Sequence, residues 1–252
     1  MDCMNSKLPS SFDAILTQLP HASYHSETLN FFQWEGIWLR PKLVQGALAF
    51  RSHFEAHEDD VIFASTMKSG TTWLKALCSC IMQNGRSDDD EDILMQHNPH
   101  ACVQTLEAQA YDQNPEPDFS GMSWLFHTHL HYRVLPDSIK NSKCKIVYIT
   151  RNPKYAFVSF WQHNNRTISK FTESGPFPLE KEFQYFCDSV TLFGPFYDHV
   201  LDYWAESLKM PHKILFMKYD ELNRDPKGQV KRWRLAATRK PIMCCGGAAW
   251  RG

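Results

Sequence analysis

Lys68-Ser69-Gly70-Thr71-Thr72 places one ammonium and three hydroxyls within five residues, between the apolar run Val61-Ile62-Phe63-Ala64 and the segment Trp73-Leu74-Lys75-Ala76-Leu77. That order reads strand, tight loop, helix. A loop in this position points backbone N–H groups outward at a helix N-terminus, where the macrodipole favours an anion. The residues Ser65 to Trp73 therefore read as a phosphate cradle. They do not make the nucleoside-triphosphate version, because no Gly stands five positions before Lys68 and the Lys precedes Ser-Gly. A plainer reading leaves Ser69 as a helix cap with Thr71 and Thr72 in the first turn.

A second candidate anion site lies at Arg151 and Ser159. Lys145-Ile146-Val147-Tyr148-Ile149-Thr150 is a β-branched, apolar run of the kind buried in a parallel sheet, and it ends at Arg151-Asn152-Pro153-Lys154. Arg supplies a planar fork for phosphate, and a hydroxyl two turns along the following helix could reach the same group. The alternative is a simple strand-to-helix turn with Lys154 in solvent. Two anion sites after neighbouring strands suit a nucleotide phosphorylated at both ends.

The elements that must hold these groups follow from the periodicity. Strands are expected at 61–64, 124–126, 145–150 and 213–217, with helices after 71, over 154–163 and over 180–208, interrupted at Gly194-Pro195. The alternation predicts an α/β fold: a mainly parallel sheet flanked by helices, with ligands beyond the carboxyl ends of the strands. Lys68, His129, Arg151 and Tyr219 each follow one of the four strands. The aromatics Phe31, Phe32, Trp34 and Trp38 read as core or as pocket wall.

Composition narrows the function classes. A chain of 252 residues, 43% hydrophobic and 13% aromatic, fills one sizeable core, and a single domain over 1–252 is expected. The formal net charge of −1 gives no general attraction for nucleic acid or an anionic membrane, so any phosphate affinity must be local. No apolar run reaches the roughly 18 residues that span a bilayer. The eight cysteines are scattered, and reduced thiols in a soluble cytoplasmic protein are expected. Cys78 and Cys80 point about 200° apart on a helix, which disfavours a shared zinc. The acidic run 87–92 reads as a solvated loop.

Specific motifs carry a resemblance. Thr-Met-Lys-Ser-Gly-Thr-Thr-Trp at 66–73 resembles the 5′-phosphosulfate loop of the cytosolic sulfotransferases, and Tyr-Ile-Thr-Arg-Asn-Pro-Lys at 148–154, continuing to Val158-Ser159, resembles their 3′-phosphate motif. Thr128-His129-Leu130 resembles the segment with the family's base, and Lys218-Tyr219-Asp220-Glu221 a strand end near the adenine. Phe193-Gly194-Pro195-Phe196, Tyr203-Trp204 and His97-Asn98-Pro99-His100 look like the plant branch. The resemblance covers about residues 30 to 231.

It implies sulfuryl transfer from 3′-phosphoadenosine-5′-phosphosulfate (PAPS) to a hydroxyl or amine of a small acceptor. His129 is then the general base, since an imidazole titrates near neutrality. Lys68 neutralises charge on the bridging oxygen. The loop N–H groups with Lys68, Ser69, Gly70, Thr71 and Thr72 hold the 5′-phosphate. Trp73 stacks on the adenine, Tyr219 lies near its edge, and Arg151 and Ser159 hold the 3′-phosphate. No metal is implied. A phenolic, flavonoid or steroid-like acceptor suits the aromatic residues, with no nucleic-acid or membrane partner; oligomeric state is not legible.

Departures from the family pattern are Met67 for a Pro, Tyr155 for an Asp, His131 for a Pro, and His127 two before the base. The three histidines at 127, 129 and 131 also invite a metal reading, disfavoured because no carboxylate or Cys lies beside them. The family's later Arg-Lys-Gly segment, which closes over the 3′-phosphate, has no counterpart here. Residues 232–252 form an atypical tail without a sustained helical period, which resembles a truncated member and raises the alternative of a chain that binds nucleotide without turnover.

Overall fold

The computed structural model describes residues 10–24, 29–83, 98–111, 125–168 and 176–237. The acidic run at 87–92, His97, the Pro-rich stretch at 114–118, Trp124 and residues 238–252 lie outside them. In chain order the elements are α1 (Ser10–Leu16), β1 (His21–Tyr24), β2 (Leu29–Trp34), β3 (Ile37–Leu39), α2 (Pro41–His53), β4 (Val61–Ser65), α3 (Thr71–Gln83) and α4 (Pro99–Cys102). One π-helical turn, Leu106–Ala110, precedes β5 (Leu125–Thr128), and a 3-10 turn, Tyr132–Val134, precedes α5 (Asp137–Asn141) and β6 (Lys145–Thr150). The chain continues through α6 (Pro153–Ile168), α7 (Leu179–Cys187), α8 (Phe196–Lys209), β7 (Ile214–Lys218), α9 (Tyr219–Arg224) and α10 (Pro226–Ala237).

The strands β5-β4-β6-β7 form one sheet in that order, with every pairing parallel. Its sequence signature is continuous apolarity, and the reason is the pleat. Alternate residues face opposite sides, so Ile62, Ala64, Ile146 and Tyr148 enter one core while Val61, Phe63, Val147 and Ile149 enter the other. The two central strands, β4 and β6, are thereby buried on both faces, as α/β architecture requires.

Register then fixes the site. Ala64 pairs with Thr128, Ser65 with Ile149, and Thr150 with Lys218. The residues that follow these pairs, Thr66, His129, Arg151 and Tyr219, therefore leave the sheet at the same edge.

A second sheet, β1-β2-β3, is antiparallel, and its existence was not read from the sequence. Glu35 (φ 50°) and Gly36 (φ 77°) close the β2–β3 hairpin, the paired positive φ values that a two-residue primed turn needs. Phe31 and Trp34 are buried in the core and Phe32 packs against it. On its free side β3 is tied to the loop before α8: Trp38 N–H donates to Gly194 O at 3.1 Å, and Phe193 N–H donates to Trp38 O at 2.8 Å.

Near the end of the described chain, α10 corrects one expectation. The helix continues past Lys231 to Ala237. The run Arg232-Trp233-Arg234-Leu235-Ala236-Ala237 is rich in strong helix formers and has no Gly or Pro, so propensity extends the helix where no amphipathic period signals it.

Candidate active site

The loop between β4 and α3 is shaped by its backbone. Lys68 has φ 61° and Gly70 φ 105°, left-handed values that let successive N–H groups turn to one side ahead of α3. A Cβ on Gly70 would meet Tyr219 Cδ2 at 2.5 Å, so the glycine is required both for its φ and for the close seat of the Tyr219 ring. Ser69 is fully buried and bonds to the Thr66 hydroxyl. Thr71 Oγ1 lies 2.7 Å from Ser65 Oγ. Thr72 Oγ1 bonds His100 Nε2 on α4 at 3.0 Å. Trp73, one residue on, is 43% exposed and presents an apolar ring beside the loop.

Cations gather above this loop. The Lys68 ammonium is held below its ordinary pKa first by burial, then by the charges of Arg166 and Arg151. The Arg151 guanidinium lies 4.6 Å from the centroid of the Tyr219 ring and 5.8 Å from that of Tyr155. Its buried Nε has no hydrogen-bond partner. Mutual repulsion and a buried unpaired donor are both relieved by an anion, so the residues present fit a phosphorylated ligand. Ser159 is half-buried on α6.

The three histidines separate into three roles once β5 ends at Thr128. His127 is fully buried inside the strand, with Nδ1 3.1 Å from Thr105 Oγ1 and Nε2 3.1 Å from Ser65 Oγ. His131 is also buried, and its Nε2–H donates to Phe193 O at 3.1 Å. His129 alone is part-exposed among the three. Its Nδ1 lies 2.8 Å from Ser65 O, and because a carbonyl only accepts, Nδ1 carries the proton and Nε2 keeps its lone pair. No hydrogen bond occupies Nε2 among the described residues. Burial, opposed by the Ser65 carbonyl bond, pulls the His129 pKa down to about 3, so the ring is neutral through the physiological range.

Supporting groups that sequence reasoning missed hold this ring. Glu107, fully buried on the π-helical turn, accepts from His129 N–H at 2.7 Å and from the Thr128 hydroxyl at 2.8 Å. His199 on α8 donates Nε2–H to His129 O at 2.9 Å. The ring of Phe193, itself anchored by Trp38, lies 5.1 Å from that of His129. A Glu beside Leu106 carries no sequence signal, whereas the Phe193-Gly194-Pro195-Phe196 motif did mark its segment.

Beside the loop a small, open pocket is lined chiefly by Met67, Phe157, Phe160, Phe186, Phe193 and Phe196. None of Phe31, Phe32, Trp34 and Trp38 lines it. Of the two readings open to them, core or pocket wall, the structure bears out core for Phe31 and Trp34, which the hairpin turns inward. Among the described residues no group of three or more His, Cys, Asp or Glu is placed to hold a metal ion, and Cys102, Cys144 and Cys187 are free thiols. No described helix is long and apolar enough to cross a membrane.

A parallel sheet carries a glycine-bent loop after one strand, an arginine after its neighbour and a tautomer-fixed histidine after the other, and the comparisons with known proteins identify the family in which this arrangement falls. The sulfotransferase domain family matches residues 58–234, and the chain belongs to that family. Cytosolic sulfotransferase 6 of Arabidopsis thaliana is 38% identical over 239 residues, 92% of this chain and 71% of that protein. Cytosolic sulfotransferase 7 of the same plant is 40% identical over 212 residues, 82% of this chain and 64% of that protein. The chain thus spans about two thirds of the length of these relatives. Among solved structures, a candidate steroid sulphotransferase of Arabidopsis thaliana is 34% identical with a TM-score of 0.77, covering 94% of this chain and 79% of the other. Mouse sulfotransferase SULT7A1, complexed with PAP, is 26% identical with a TM-score of 0.59, covering 82% and 67%.

Proposed function

We propose that the chain transfers a sulfuryl group from PAPS to a hydroxyl or amine of a small, apolar acceptor, as a single cytosolic domain. One observation carries the reading: Lys68, His129, Arg151 and Tyr219 leave four adjacent parallel strands at one edge, with the cations on one side and the neutral imidazole on the other. The mouse relative crystallised with PAP supports the nucleotide assignment.

In this scheme the loop N–H groups, with Ser69, Gly70, Thr71 and Thr72, hold the 5′-phosphate end at the α3 N-terminus. Arg151, whose Nε lacks a partner, and Ser159 take the 3′-phosphate. Trp73 faces the adenine and Tyr219 supports Arg151 beside it. The acceptor enters the phenylalanine-lined pocket, which favours a flat phenolic, flavonoid or steroid-like molecule over a sugar.

His129 Nε2 takes the acceptor proton as the acceptor oxygen bonds to sulfur. The bond from sulfur to the bridging phosphate oxygen breaks, its electron pair stays on that oxygen, and Lys68 offsets the charge that builds there. Positioning and charge stabilisation carry the reaction, and the scheme assigns no role to a metal. The test is transfer of labelled sulfate from PAPS to a panel of phenols, flavonols and steroids. Transfer to at least one, lost in His129→Ala, is the expected result; PAPS binding without transfer to any would leave a nucleotide binder and overturn the assigned activity.

A further inference from the structure

Behind the cradle runs a buried chain of hydrogen bonds of which the transfer scheme uses only the last member, Thr71. Lys75 Nζ donates to Thr105 Oγ1 at 3.0 Å and to Val103 O at 2.7 Å. Thr105 Oγ1 lies 3.1 Å from His127 Nδ1, His127 Nε2 lies 3.1 Å from Ser65 Oγ, and Ser65 Oγ lies 2.7 Å from Thr71 Oγ1. Lys75, Ser65 and His127 are wholly inaccessible, and Thr105 and Thr71 are 6% and 7% exposed. Such a row is costly to bury unless each member is satisfied.

Its direction follows from the chemistry of its ends. An ammonium has no lone pair, so Thr105 must accept from Lys75. The Thr105 proton then goes to His127 Nδ1. If His127 donated instead, that buried proton would have no acceptor among the described residues and an N–H would point toward the ammonium. With Nδ1 accepting, Nε2–H donates to Ser65, the Ser65 proton passes to Thr71, and the Thr71 proton is left to point out of the chain. Burial lowers the Lys75 pKa to about 8, against the attraction of Glu107, so the group remains charged at pH 7.

We propose that Lys75 is a positioning residue for the anion cradle: acting through Thr105, His127 and Ser65, it obliges the Thr71 hydroxyl to donate toward the ligand's 5′-phosphate. The proposal rests on the cradle reading above for its ligand, but the direction of the chain does not. Two histidines with rings 4.4 Å apart must then hold opposite tautomers, His127 protonated on Nε2 and His129 on Nδ1.

Long-range ¹H–¹⁵N correlation of ¹⁵N-histidine-labelled protein reads this directly, with His127→Gln and His129→Asn used for assignment. The expected result is Nε2–H at His127 and Nδ1–H at His129 at pH 7. Nδ1–H at His127 overturns the proposal. In Lys75→Met the His127 signal should lose its single tautomer, a change that a purely space-filling lysine would not cause; an unchanged signal also overturns it. Should Lys75→Met not fold, Thr105→Val cuts the chain one link on and carries the same expectation. For function, Lys75→Met and Thr71→Val should each weaken PAP by about ten-fold, and the double variant by no more than either alone. Additive losses would overturn the coupling. Failure of the unaltered chain to bind PAP would count against the nucleotide assignment, with the tautomers still deciding the direction of the chain.

Discussion

Ser65 O and His129 Nδ1 are 2.8 Å apart, so the last residue of β4 fixes the tautomer of the first residue after β5. The parallel pairing of β4 with β5 sets this distance, and the pairing depends on the core it covers. A base on an unpaired loop would have no such constraint. The chemistry of Nε2 is thus a consequence of sheet register.

The first prediction concerns that histidine. His129→Ala should reduce sulfuryl transfer by at least about a hundred-fold, the usual scale for a positioned general base, with PAP affinity within a few-fold of the unaltered chain. His131→Ala should instead act through stability, because its ring supports the Phe193 carbonyl. Initial rates and titration calorimetry on both variants check this. Equal kinetic losses at unchanged stability would move the base elsewhere.

Lys68 should behave differently. Its charge is proposed to matter most as the bridging oxygen gains charge, so Lys68→Ala should lower kcat far more than it raises the dissociation constant for PAP. Matching losses in both would make Lys68 a uniform binding group.

Gly70→Ala tests the loop geometry. The added methyl must displace the Tyr219 ring, 2.5 Å away, on a backbone at φ 105°. A loss of about 1–3 kcal/mol is expected, read by denaturant unfolding, together with weaker PAP binding as Arg151 loses its seat. A neutral result in both would show that the loop tolerates another shape.

The pH dependence of stability follows from the His129 shift. Its folded pKa, about 3, lies below the ordinary 6.5, so between these values the unfolded chain binds a proton that the folded chain refuses. Stability contributed by the neutral ring is present above pH 6.5 and is lost as the pH falls toward 3. In His129→Asn this contribution is removed, so the slope of unfolding free energy against pH between 6 and 5 should flatten by up to about 1.4 kcal/mol per pH unit. Comparing the slopes of the two proteins removes the other buried groups, including Glu107, whose raised pKa acts in the opposite direction. Identical slopes would mean that His129 titrates normally.

The parallel sheet was legible because burial on both faces leaves uninterrupted apolar runs, and the motifs after β4 and β6 were legible because anion binding demands particular residue types. The roles of His127, His129 and His131 were not separable by spacing, since they depend on where β5 stops. Glu107 was invisible for a related reason: its place is set by an irregular turn that joins β5 through the Thr105 to His127 bridge. The antiparallel hairpin went unread because Phe31 to Leu39 is aromatic on both strand faces, which masks the alternation, although Glu35-Gly36 was an available turn signal.

The central claim, a cradle for a nucleotide phosphorylated at both the 5′ and 3′ positions, is tested most directly by titrating the chain with PAP and with adenosine 5′-monophosphate. The account predicts PAP to bind at least about ten-fold more tightly, and Arg151→Ala to erase the difference by weakening PAP alone. Equal affinity for the two nucleotides, or equal weakening of both by Arg151→Ala, would contradict it.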